Sequence, residues 1–499
     1  MIHACTIEHG DAMVKIRYID DDIVRVYKFD KPRTKENLLA TLFWGDNVRV
    51  VKKVGKYWKL DFTKRRWNPN TNRYEWMKFD GAIPAKARFR DDPILKIRFV
   101  DVGEGDAAIV ESPEGKFVLL DGGEGDHLRY YISAAWAHVL RFKSLEVEAI
   151  VVTHGDADHF AGLIKLLNAT RGYDRPMVNV QHIFHNGLVK APTKVGNANI
   201  FGKSEKKNGR LYVLDLVDDP RTVPDPRLNR YFKSWKKSLS DLAGKNPNLE
   251  IRRLAYGDHN VFDFLVKEGI SVQVLGPIVK ELDGKPVLPY LHSKSNSYSA
   301  SHTVNGHSIV LKISYGNVRF LFGADLNAES EAGLLERARR DNLSLSSEVL
   351  KVPHHGSQDF TPRMLEAVRP TVSVISSGDE SESKEYIHPR AGLVGALGKY
   401  SNLTVEKPLI YVTEMVAFFK RVGHARMHEM TKTRKESKKE PIETTNAYIK
   451  KTFGIVHVRT DGKRVLVATH GGKPGQKESY AFHVDEQGKI TFEEKTRVV

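Results

Sequence analysis

The sequence has little cysteine and no long apolar run, and each shortage excludes a class of structure. Its 499 residues include a single cysteine, Cys5, so the chain can form neither an internal disulfide nor a thiolate metal cluster. Any metal ligands must therefore be histidine and carboxylate side chains, and a reducing compartment suits this composition. No apolar run is long enough to cross a bilayer, and the first residues lack a basic segment followed by an apolar core. We expect a soluble, cytoplasmic protein that does not bind membranes.

Acidic residues are outnumbered by basic ones. The chain has 78 Lys and Arg residues against 62 Asp and Glu residues, which gives a formal net charge of +16. Because a basic surface attracts polyanions, this balance favours nucleic acid as a partner. The same balance is equally compatible with a basic protein that binds no nucleic acid.

Residues 1–92 alternate short β-like runs with turns, which predicts a small, basic, β-rich domain. Its second half interleaves cations with aromatic rings. The cations are Lys52, Lys53, Lys56, Lys64, Arg65, Arg66 and Arg73, and the rings are Tyr57, Trp58, Trp67, Tyr74 and Trp76. Cations can follow phosphates while rings stack on bases. The alternative, which we favour, is that the rings form the core of the domain and the cations its solvated face.

Residues 93–499 begin with strands separated by glycine-rich turns and continue with alternating strands and helices, which predicts layered α/β packing. Polar insertions are expected near 190–300 and 421–451. The first could shape access to a site, and the second could contact phosphates, but a solvated surface is the default interpretation of both.

Four side chains that can bind a metal follow the apolar run 149–152. They are His154, Asp156, Asp158 and His159. The pattern is typical of a buried strand whose carboxyl end opens into a ligand loop, and the helical spacing after this loop indicates that it leads into a helix. Four potential ligands within six positions favour a functional site over a structural role.

Another carboxylate, Asp325, follows a second apolar run. Two divalent ions close together can hold a hydroxide between them, lower its pKa towards neutrality and stabilise the oxyanion that forms when it attacks. His154 and Asp156 could serve one ion. Asp158 and His159 could serve the other, and Asp325 could bridge both. We therefore expect two divalent metal ions as cofactors.

Residues 154–159 match the His-x-[His/Asp]-x-Asp-His signature, and the chain here resembles the metallo-β-lactamase-fold hydrolases. Further motifs occur in the order found in the soluble hydrolase domain of ComEC-type competence proteins. They are DVGEGDA at 101–107, LDGG at 120–123, GAD at 323–325, HHGS at 354–357 and HP at 388–389. The similarity covers about 94–400, and several motifs in register are more specific than any one of them.

The resemblance implies an α/β fold, namely an αββα metallo-β-lactamase sandwich with the metals at the edge of its two sheets, here preceded by the small N-terminal β-domain. By order along the family fold, His388 would be the late metal ligand, and His354 or His355 would donate a proton or contact phosphate. The opposite assignment stays open. We count Asp158 among the catalytic residues as well as among the ligands.

Two departures from the family pattern concern the metals. Asp156 stands where the wider superfamily has a histidine, which makes the first site richer in oxygen and better suited to Mn²⁺ than a three-histidine zinc site. Zn and Mn are both compatible with the expected ligands. The usual middle histidine has no clear match, and the candidates are His182, His185, His259 and His292.

The leading hypothesis is a metal-dependent phosphodiesterase or nuclease, in which a metal-bound hydroxide attacks phosphorus and a histidine protonates the leaving oxygen. Two alternatives stay open. One is a hydrolase of a small phosphodiester or ester-like metabolite, since one fold hosts many chemistries. The other is a nucleic-acid-binding module with an idle metal site.

Overall fold

A computed structural model describes most of the chain. The described residues are 14–68, 70–103, 105–171, 175–195, 199–293, 297–378, 388–414, 418–426, 444–452, 454–470 and 479–493. Within them the protein is a mixed α/β structure built on two large sheets.

The N-terminal part of the chain forms an antiparallel sheet of seven strands within the described residues. In chain order these are β1 (Lys15–Ile19), β2 (Ile23–Lys28), β3 (Leu38–Phe43), β4 (Asn47–Val54), β5 (Tyr57–Asn68), β6 (Arg73–Pro84) and β7 (Phe89–Arg90). They pair in the order β3-β2-β6-β5-β4-β1-β7. The strands enclose a small apolar cluster centred on fully buried Ile19, Leu39 and Leu60.

The aromatic residues of this sheet divide between core and surface. Trp58 packs against the apolar cluster and makes an edge contact with Phe89 at 5.5 Å between ring centroids, as the core interpretation predicts. Tyr57, in contrast, is 37% exposed. The side chains of Arg65, Arg66, Trp67, Arg73 and Tyr74 lie outside the described part of the structure.

The first large sheet contains ten strands among the described residues. They are β8 (Leu95–Val100), β9 (Ala108–Glu111), β10 (Phe117–Leu120), β11 (Leu145–Val152), β14 (Val178–His185), β17 (Glu250–Arg253), β28 (Ile455–Thr460), β29 (Arg464–His470), β30 (Ser479–Val484) and β31 (Ile490–Phe492). Their order is β17-β14-β11-β10-β9-β8-β28-β29-β30-β31. The pairs β10-β11, β11-β14 and β14-β17 are parallel, so the carboxyl ends of these strands meet at one edge.

The second large sheet contains six strands of the described chain. They are β18 (Ile270–Gly276), β21 (Val310–Tyr315), β22 (Val318–Phe322), β23 (Val349–Lys351), β24 (Val372–Ile375) and β25 (Leu409–Val412), and they pair in this order. From β22 to β25 the pairing is parallel. The residues that follow β22 and β23 therefore emerge side by side.

Smaller sheets and helices complete the described structure. The small sheets pair β12 (Thr170–Arg171) with β13 (Arg175–Pro176), join β15 (Ser204–Lys207), β16 (Arg210–Val213), β20 (Lys285–Pro289) and β19 (Lys280–Leu282), and pair β26 (Phe418–Arg426) with β27 (Thr444–Thr452). The α-helices are α1 (His127–Ala135), α2 (Ala137–Leu140), α3 (Ala157–Leu167), α4 (Arg230–Lys245), α5 (Ala300–Gly306), α6 (Ala328–Arg340), α7 (Pro362–Val368) and α8 (Ala391–Lys399). Short 3₁₀ turns cover Lys35–Asn37, Thr193–Val195, Pro220–Thr222, Asp225–Arg227, His259–Glu268 and His354–Gly356. None of the helices in the described residues is long and apolar enough to cross a membrane.

The strand before the ligand loop is buried on both faces. Ala149 and Val151 of β11 belong to an apolar cluster that also contains side chains of the second large sheet, such as Phe320. Ile150 and Val152 belong to a different cluster, formed with α1, α3 and α4. This explains the unbroken apolar run in the sequence, because a strand covered on both faces needs apolar side chains at every position.

Parts of the two segments predicted as insertions are ordered elements. Within 190–300, β17 and β18 belong to the large sheets and α4 packs on α3 through Phe232 and Trp235. Within 421–451, the residues 427–443, which include the charged run 432–440, lie outside the described residues.

The N-terminal sheet packs against the first large sheet at β28 and β29. Arg459 donates to the Trp44 carbonyl at 2.6 Å and to Asp46 Oδ1 at 2.8 Å. Arg464 donates to Asp22 Oδ1 at 2.6 Å. Both guanidinium groups are largely buried, so these contacts are charge-assisted and fix the sheet against the rest of the protein.

Candidate metal centre

The ligand loop joins β11 to α3 and is held in place by Asp121 at the end of neighbouring β10. Thr153 donates to Asp121 Oδ1 through its backbone nitrogen at 2.8 Å and to Asp121 Oδ2 through its hydroxyl at 2.6 Å. These contacts form because β10 and β11 are parallel neighbours whose ends coincide. The loop therefore leaves the sheet in a fixed direction.

His159 lies in the first turn of α3 and is fully buried. Its Nδ1 lies 2.8 Å from Asp121 Oδ2, so Nδ1 carries the proton and Nε2 is left free to bind a ligand. Nε2 lies 3.3 Å from Asp325 Oδ1 and 3.7 Å from Asp158 Oδ2. Burial lowers the pKa of His159, but these carboxylates outweigh burial, and the net pKa lies well above its usual value.

His154 is the second buried histidine of the loop. Its Nδ1 lies 3.2 Å from the Thr153 hydroxyl and 3.3 Å from the Ser308 hydroxyl. Its Nε2 lies 3.9 Å from Asp325 Oδ2. Burial and the charge of His159 hold the pKa of His154 well below its usual value, so the neutral ring is favoured.

His355 reaches the same space from the turn after β23. Its Nε2 lies 3.3 Å from Asp158 Oδ2 and 3.3 Å from Asp325 Oδ2. Its Nδ1 lies 3.0 Å from the Ser376 carbonyl and 3.2 Å from Asp106 Oδ1, so the proton sits on Nδ1. The backbones of His354 and His355 have φ of 49° and 51°, both in the left-handed region.

Four buried nitrogen and oxygen atoms that face one another in this space lack hydrogen-bond partners. Among the described residues, Nε2 of His154, His159 and His355 and Oδ1 of Asp325 are buried without one. An unpartnered buried polar group costs on the order of 1–3 kcal/mol, so four such atoms that face one another are suited to bind a shared ligand.

The distances fit a divalent metal ion. Ligand atoms of His154, His159 and Asp325 lie within 4.8 Å of one another, and so do those of Asp158, His159 and His355. Imidazole nitrogen and carboxylate oxygen are ligands of Zn²⁺, and the oxygen share also suits Mn²⁺. The site thus provides the chemistry of a metal centre.

Asp156 lies at the edge of this cluster and faces a cation. Its Oδ1 accepts from Lys190 Nζ, while its Oδ2 is 3.8 Å from His154 Nε2. Burial raises the pKa of Asp156, and the charge of Lys190 offsets part of that rise. The Asn305 amide lies 3.0 Å from Asp156 Oδ2 when its nitrogen is oriented to donate.

His354 and His388 lie beside the ligand cluster. Their ring centroids are 6.3 Å apart, and His354 Nε2 lies 3.2 Å from the Asn305 amide. Neither belongs to a group of converging ligands among the described residues, whereas His355 does. Burial and the charges of His355 and His354 lower the pKa of His388 to about 4.

The candidates for the middle histidine all have partners elsewhere. His182 Nδ1 lies 3.1 Å from Glu250 Oε2, and His185 Nε2 lies 2.9 Å from the Asp218 carbonyl. His259 Nδ1 accepts from the Val274 backbone nitrogen, and His292 stacks on Tyr298 with 4.6 Å between centroids. None of the four belongs to a ligand group of the described residues.

Three charged residues near the site received no role from the sequence. Asp106 pairs with Lys351 at the end of β23 and lies 3.2 Å from His355 Nδ1. It therefore connects the ring of His355 to this strand. Lys351 ends a buried apolar strand, and a lysine in such a run is a signal that could have identified it. Lys190 follows no recognisable motif.

Comparison with known proteins locates the recognisable family pattern in one segment. Residues 100–196 match the model of the metallo-beta-lactamase superfamily. No curated protein matches the chain. The matched segment contains Asp121, the ligand loop and α3.

Two solved structures are similar to parts of the chain at low sequence identity. Zn(2+)-bound PqqB from Methylobacterium extorquens is 10% identical, with 63% of this chain and 97% of that chain covered and a TM-score of 0.30. A long form RNase Z from yeast is 8% identical, with 70% of this chain and 49% of that chain covered and a TM-score of 0.25. The alignment thus spans about half of the yeast protein.

Proposed function

We propose that the protein is a metal-dependent hydrolase that cleaves phosphodiester bonds in nucleic acid. The observation that carries the proposal is the convergence of three unpartnered imidazole nitrogens, on His154, His159 and His355, with the carboxylates of Asp158 and Asp325. Within the described residues these nitrogens make no hydrogen bond that would explain them as structural residues. A set of imidazole and carboxylate ligands is suited to metal-assisted hydrolysis.

We interpret residues 93–499 as an αββα sandwich and residues 1–92 as a separate small β-domain. The apolar cluster shared by the two large sheets supports this, because helices α1, α3 and α4 contribute to a second cluster and α6, α7 and α8 to a third. The motifs shared with the hydrolase domain of ComEC-type proteins support it too. In this interpretation the candidate centre lies at the carboxyl edge of both sheets.

A divalent ion at this centre, Zn²⁺ or Mn²⁺, would supply positive charge to the phosphate and lower the pKa of the attacking water. Asp158, His159, Asp325 and His355 would hold it. Asp121 keeps the proton of His159 on Nδ1 and so directs Nε2 inward. The Ser376 carbonyl has the same effect on His355.

His354 is assigned to the substrate rather than to the metal. Its ring is partly exposed beside the ligand cluster, and its burial lowers its pKa, so it is neutral near pH 7. A neutral imidazole can donate a hydrogen bond to a phosphate oxygen or to the leaving oxygen. The ring of His388 lies next to that of His354, with 6.3 Å between the centroids, on the same side of the ligand cluster.

The substrate assignment to nucleic acid rests on charge. The net charge is +16, and Lys52, Lys53 and Lys56 are exposed on the β4-β5 hairpin. A polyanion gains from contacts with such a surface at a distance from the cleavage site. We further propose that the protein acts in the cytoplasm.

The test measures metal-dependent cleavage by the parent and by a ligand variant. Purified protein is assayed with Mn²⁺ or Zn²⁺ on single- and double-stranded DNA, on RNA and on a chromogenic phosphodiester, with Asp325→Asn purified in parallel as the control for contaminating nucleases. We expect metal-dependent cleavage of a nucleic acid by the parent and none by Asp325→Asn.

Other outcomes would reject the nuclease. Turnover of the chromogenic substrate without cleavage or binding of any polymer would favour a small-phosphodiester hydrolase. Salt-sensitive nucleic-acid binding without hydrolysis, retained in Asp158→Ala and Asp325→Ala, would favour a binding module.

A further inference from the structure

We propose that the ammonium group of Lys190 takes the place of one of the two divalent ions that the ligand pattern predicts, so that the centre binds a single ion. The inference rests on the proposed metal dependence of the site. It concerns what the residues around Asp156 bind.

The two predicted ligand sets are unequal. The set around Asp158 is complete, because His159 and His355 bring Nε2 to it and Asp325 lies 3.3 Å from each of these nitrogens. The set around His154 has Asp156 at 3.8 Å and Asp325 at 3.9 Å from Nε2, but Asp325 is shared with the first set, so Asp156 is the one carboxylate that could serve the second ion alone. A protein metal site commonly uses three or four protein ligands, and none of the four candidate histidines in the described residues lies there to add a ligand that is not shared with the first set.

Lys190 contacts Asp156, the carboxylate of the second set that the first set does not share. Strand β14 is the parallel neighbour of β11, and the chain after β14 passes the ligand loop and delivers Lys190 to Asp156. The side chain of Lys190 is 19% exposed and that of Asp156 is 24% exposed. Since a partly buried ammonium needs an anionic partner, Asp156 is committed to Lys190.

The pair excludes a second cation on electrostatic grounds. A divalent ion bound to Asp156 and His154 would lie within a few ångströms of the ammonium, and like charges repel strongly in a partly buried site. One carboxylate cannot neutralise both. The ammonium instead supplies a fixed positive charge beside the ion, where a phosphate oxygen could accept a hydrogen bond from it.

This arrangement also gives Asp156 a different role from the one predicted. In the one-ion centre Asp156 positions Lys190, and Asp158 is the ligand of the loop. His154 Nε2 lies between the two carboxylates, 3.8 Å from Asp156 Oδ2 and 3.9 Å from Asp325 Oδ2.

The experiment counts metal ions per chain. The full-length parent, Lys190→His and the control Lys194→His are loaded with Mn²⁺, freed of excess metal and measured by mass spectrometry of the metal, with electron paramagnetic resonance of the same samples. Lys194 is exposed and only four residues from Lys190, so it matches the substitution without touching Asp156.

We expect one ion per chain in the parent and in Lys194→His, with the spectrum of isolated Mn²⁺. Lys190→His removes the ammonium and adds a nitrogen ligand, so we expect two ions and a spectrum of coupled Mn²⁺ ions. If this variant does not fold, Lys190→Met serves instead, and a Mn²⁺ titration should then show a second, weaker site that the parent lacks.

Each contrary result has a distinct meaning. Two ions in the parent would overturn the one-ion centre and leave the proposed hydrolase intact. One ion in folded Lys190→His and no second site in Lys190→Met would show that the ammonium is not what excludes the second ion. No bound ion in the parent would remove the metal-dependent function itself.

Discussion

The Nε2 atom of His355 lies 3.3 Å from the Oδ2 atom of Asp325. The two residues follow adjacent parallel strands, β23 and β22, and so emerge at the same edge of the second large sheet. His388, in contrast, lies beside His354 and outside the converging ligands of the described residues. The geometry therefore favours His355 over His388 as the late ligand.

The first prediction compares these two histidines. His355→Ala removes a nitrogen at the centre of the ligand cluster, so the affinity for Mn²⁺ or Zn²⁺ should fall by roughly 100-fold or more, beyond the usual effect of losing a second-layer contact. His388→Ala should change it only a few-fold. Metal titration by calorimetry measures both. A large loss in His388→Ala with near-parent binding in His355→Ala would reverse the assignment.

The second prediction concerns Asp121, which holds the proton of His159 on Nδ1 at 2.8 Å. Asp121→Asn keeps the shape and tolerates the left-handed backbone at this position, where φ is 56°. It weakens the orientation of His159 and of Thr153, so metal affinity should fall about 10–100-fold. Asp126→Asn, at the start of α1, is the control and should bind metal like the parent. Equal binding by the two variants would contradict this role of Asp121.

The positions of most candidate ligands could be predicted from sequence because they follow apolar runs that form neighbouring strands. His154, His159 and Asp325 come together for that reason. The choice between His355 and His388 could not be made from sequence, since both follow strands of the same sheet. In the structure it is His355 Nε2 that lies 3.3 Å from both Asp158 Oδ2 and Asp325 Oδ2.

Lys190 and the folded parts of the first predicted insertion could not be predicted. The contact of Lys190 with Asp156 joins residues 34 positions apart and depends on how the chain after β14 packs. Helix α4 is strongly charged in sequence, and its burial against α3 depends on a few side chains such as Trp235. Local patterns carry neither kind of information.

The third prediction concerns Gly105, which lies against the ligand loop. A Cβ added there would be 1.9 Å from the Asp158 carbonyl, and φ is +108°. Gly105→Ala should therefore displace the start of α3, weaken metal binding and lower the free energy of unfolding. Gly115→Ala is the control, because Gly115 also has a positive φ, +85°, but nothing lies within 4 Å of its Cβ position.

The difference between the two glycine variants isolates the clash from the backbone strain. Denaturant unfolding should show Gly105→Ala less stable than Gly115→Ala by about 1–3 kcal/mol, the usual cost of overpacking. Metal binding should be weakened in Gly105→Ala alone. Equal stability and equal metal binding would mean that the loop gives way without cost.

The fourth prediction is a pH dependence of stability that arises from Glu331. This side chain of α6 is 1% exposed and accepts from the Thr361 hydroxyl at 2.7 Å. Burial raises its pKa from 4.5 to about 7. Below pH 4.5 both the folded and the unfolded chain hold the proton. Between pH 4.5 and 7 only the folded chain does, so this residue's contribution to stability falls as pH rises through that window.

Glu331→Gln removes the ionisation, so it should stabilise the protein relative to the parent above pH 7, by up to about 3 kcal/mol, and have little effect at pH 4.5. Urea unfolding at the two pH values measures this. Glu336→Gln, on the same helix with a 65% exposed side chain, should show no such pH dependence. A gain from Glu331→Gln that is the same at both pH values would rule out the titration of Glu331 as its cause.

The last prediction tests whether the β4-β5 hairpin holds a polyanion. Lys52, Lys53 and Lys56 are exposed there, and within the described residues none of them contacts a residue of the ligand cluster through an ion pair or hydrogen bond. If each contacts a phosphate, the triple change to alanine should weaken nucleic-acid binding and reduce the slope of log affinity against log salt by roughly 2–3, since each phosphate contact contributes about 0.9. Turnover of a chromogenic phosphodiester should be unchanged, because that substrate has a single phosphate and no chain of phosphates for the hairpin to hold. A control that replaces three exposed lysines elsewhere, Lys237, Lys267 and Lys399, should keep the parent slope. If the hairpin variant also keeps that slope, its cations are only the solvated face of the small sheet, and a nucleic acid would have to be held elsewhere.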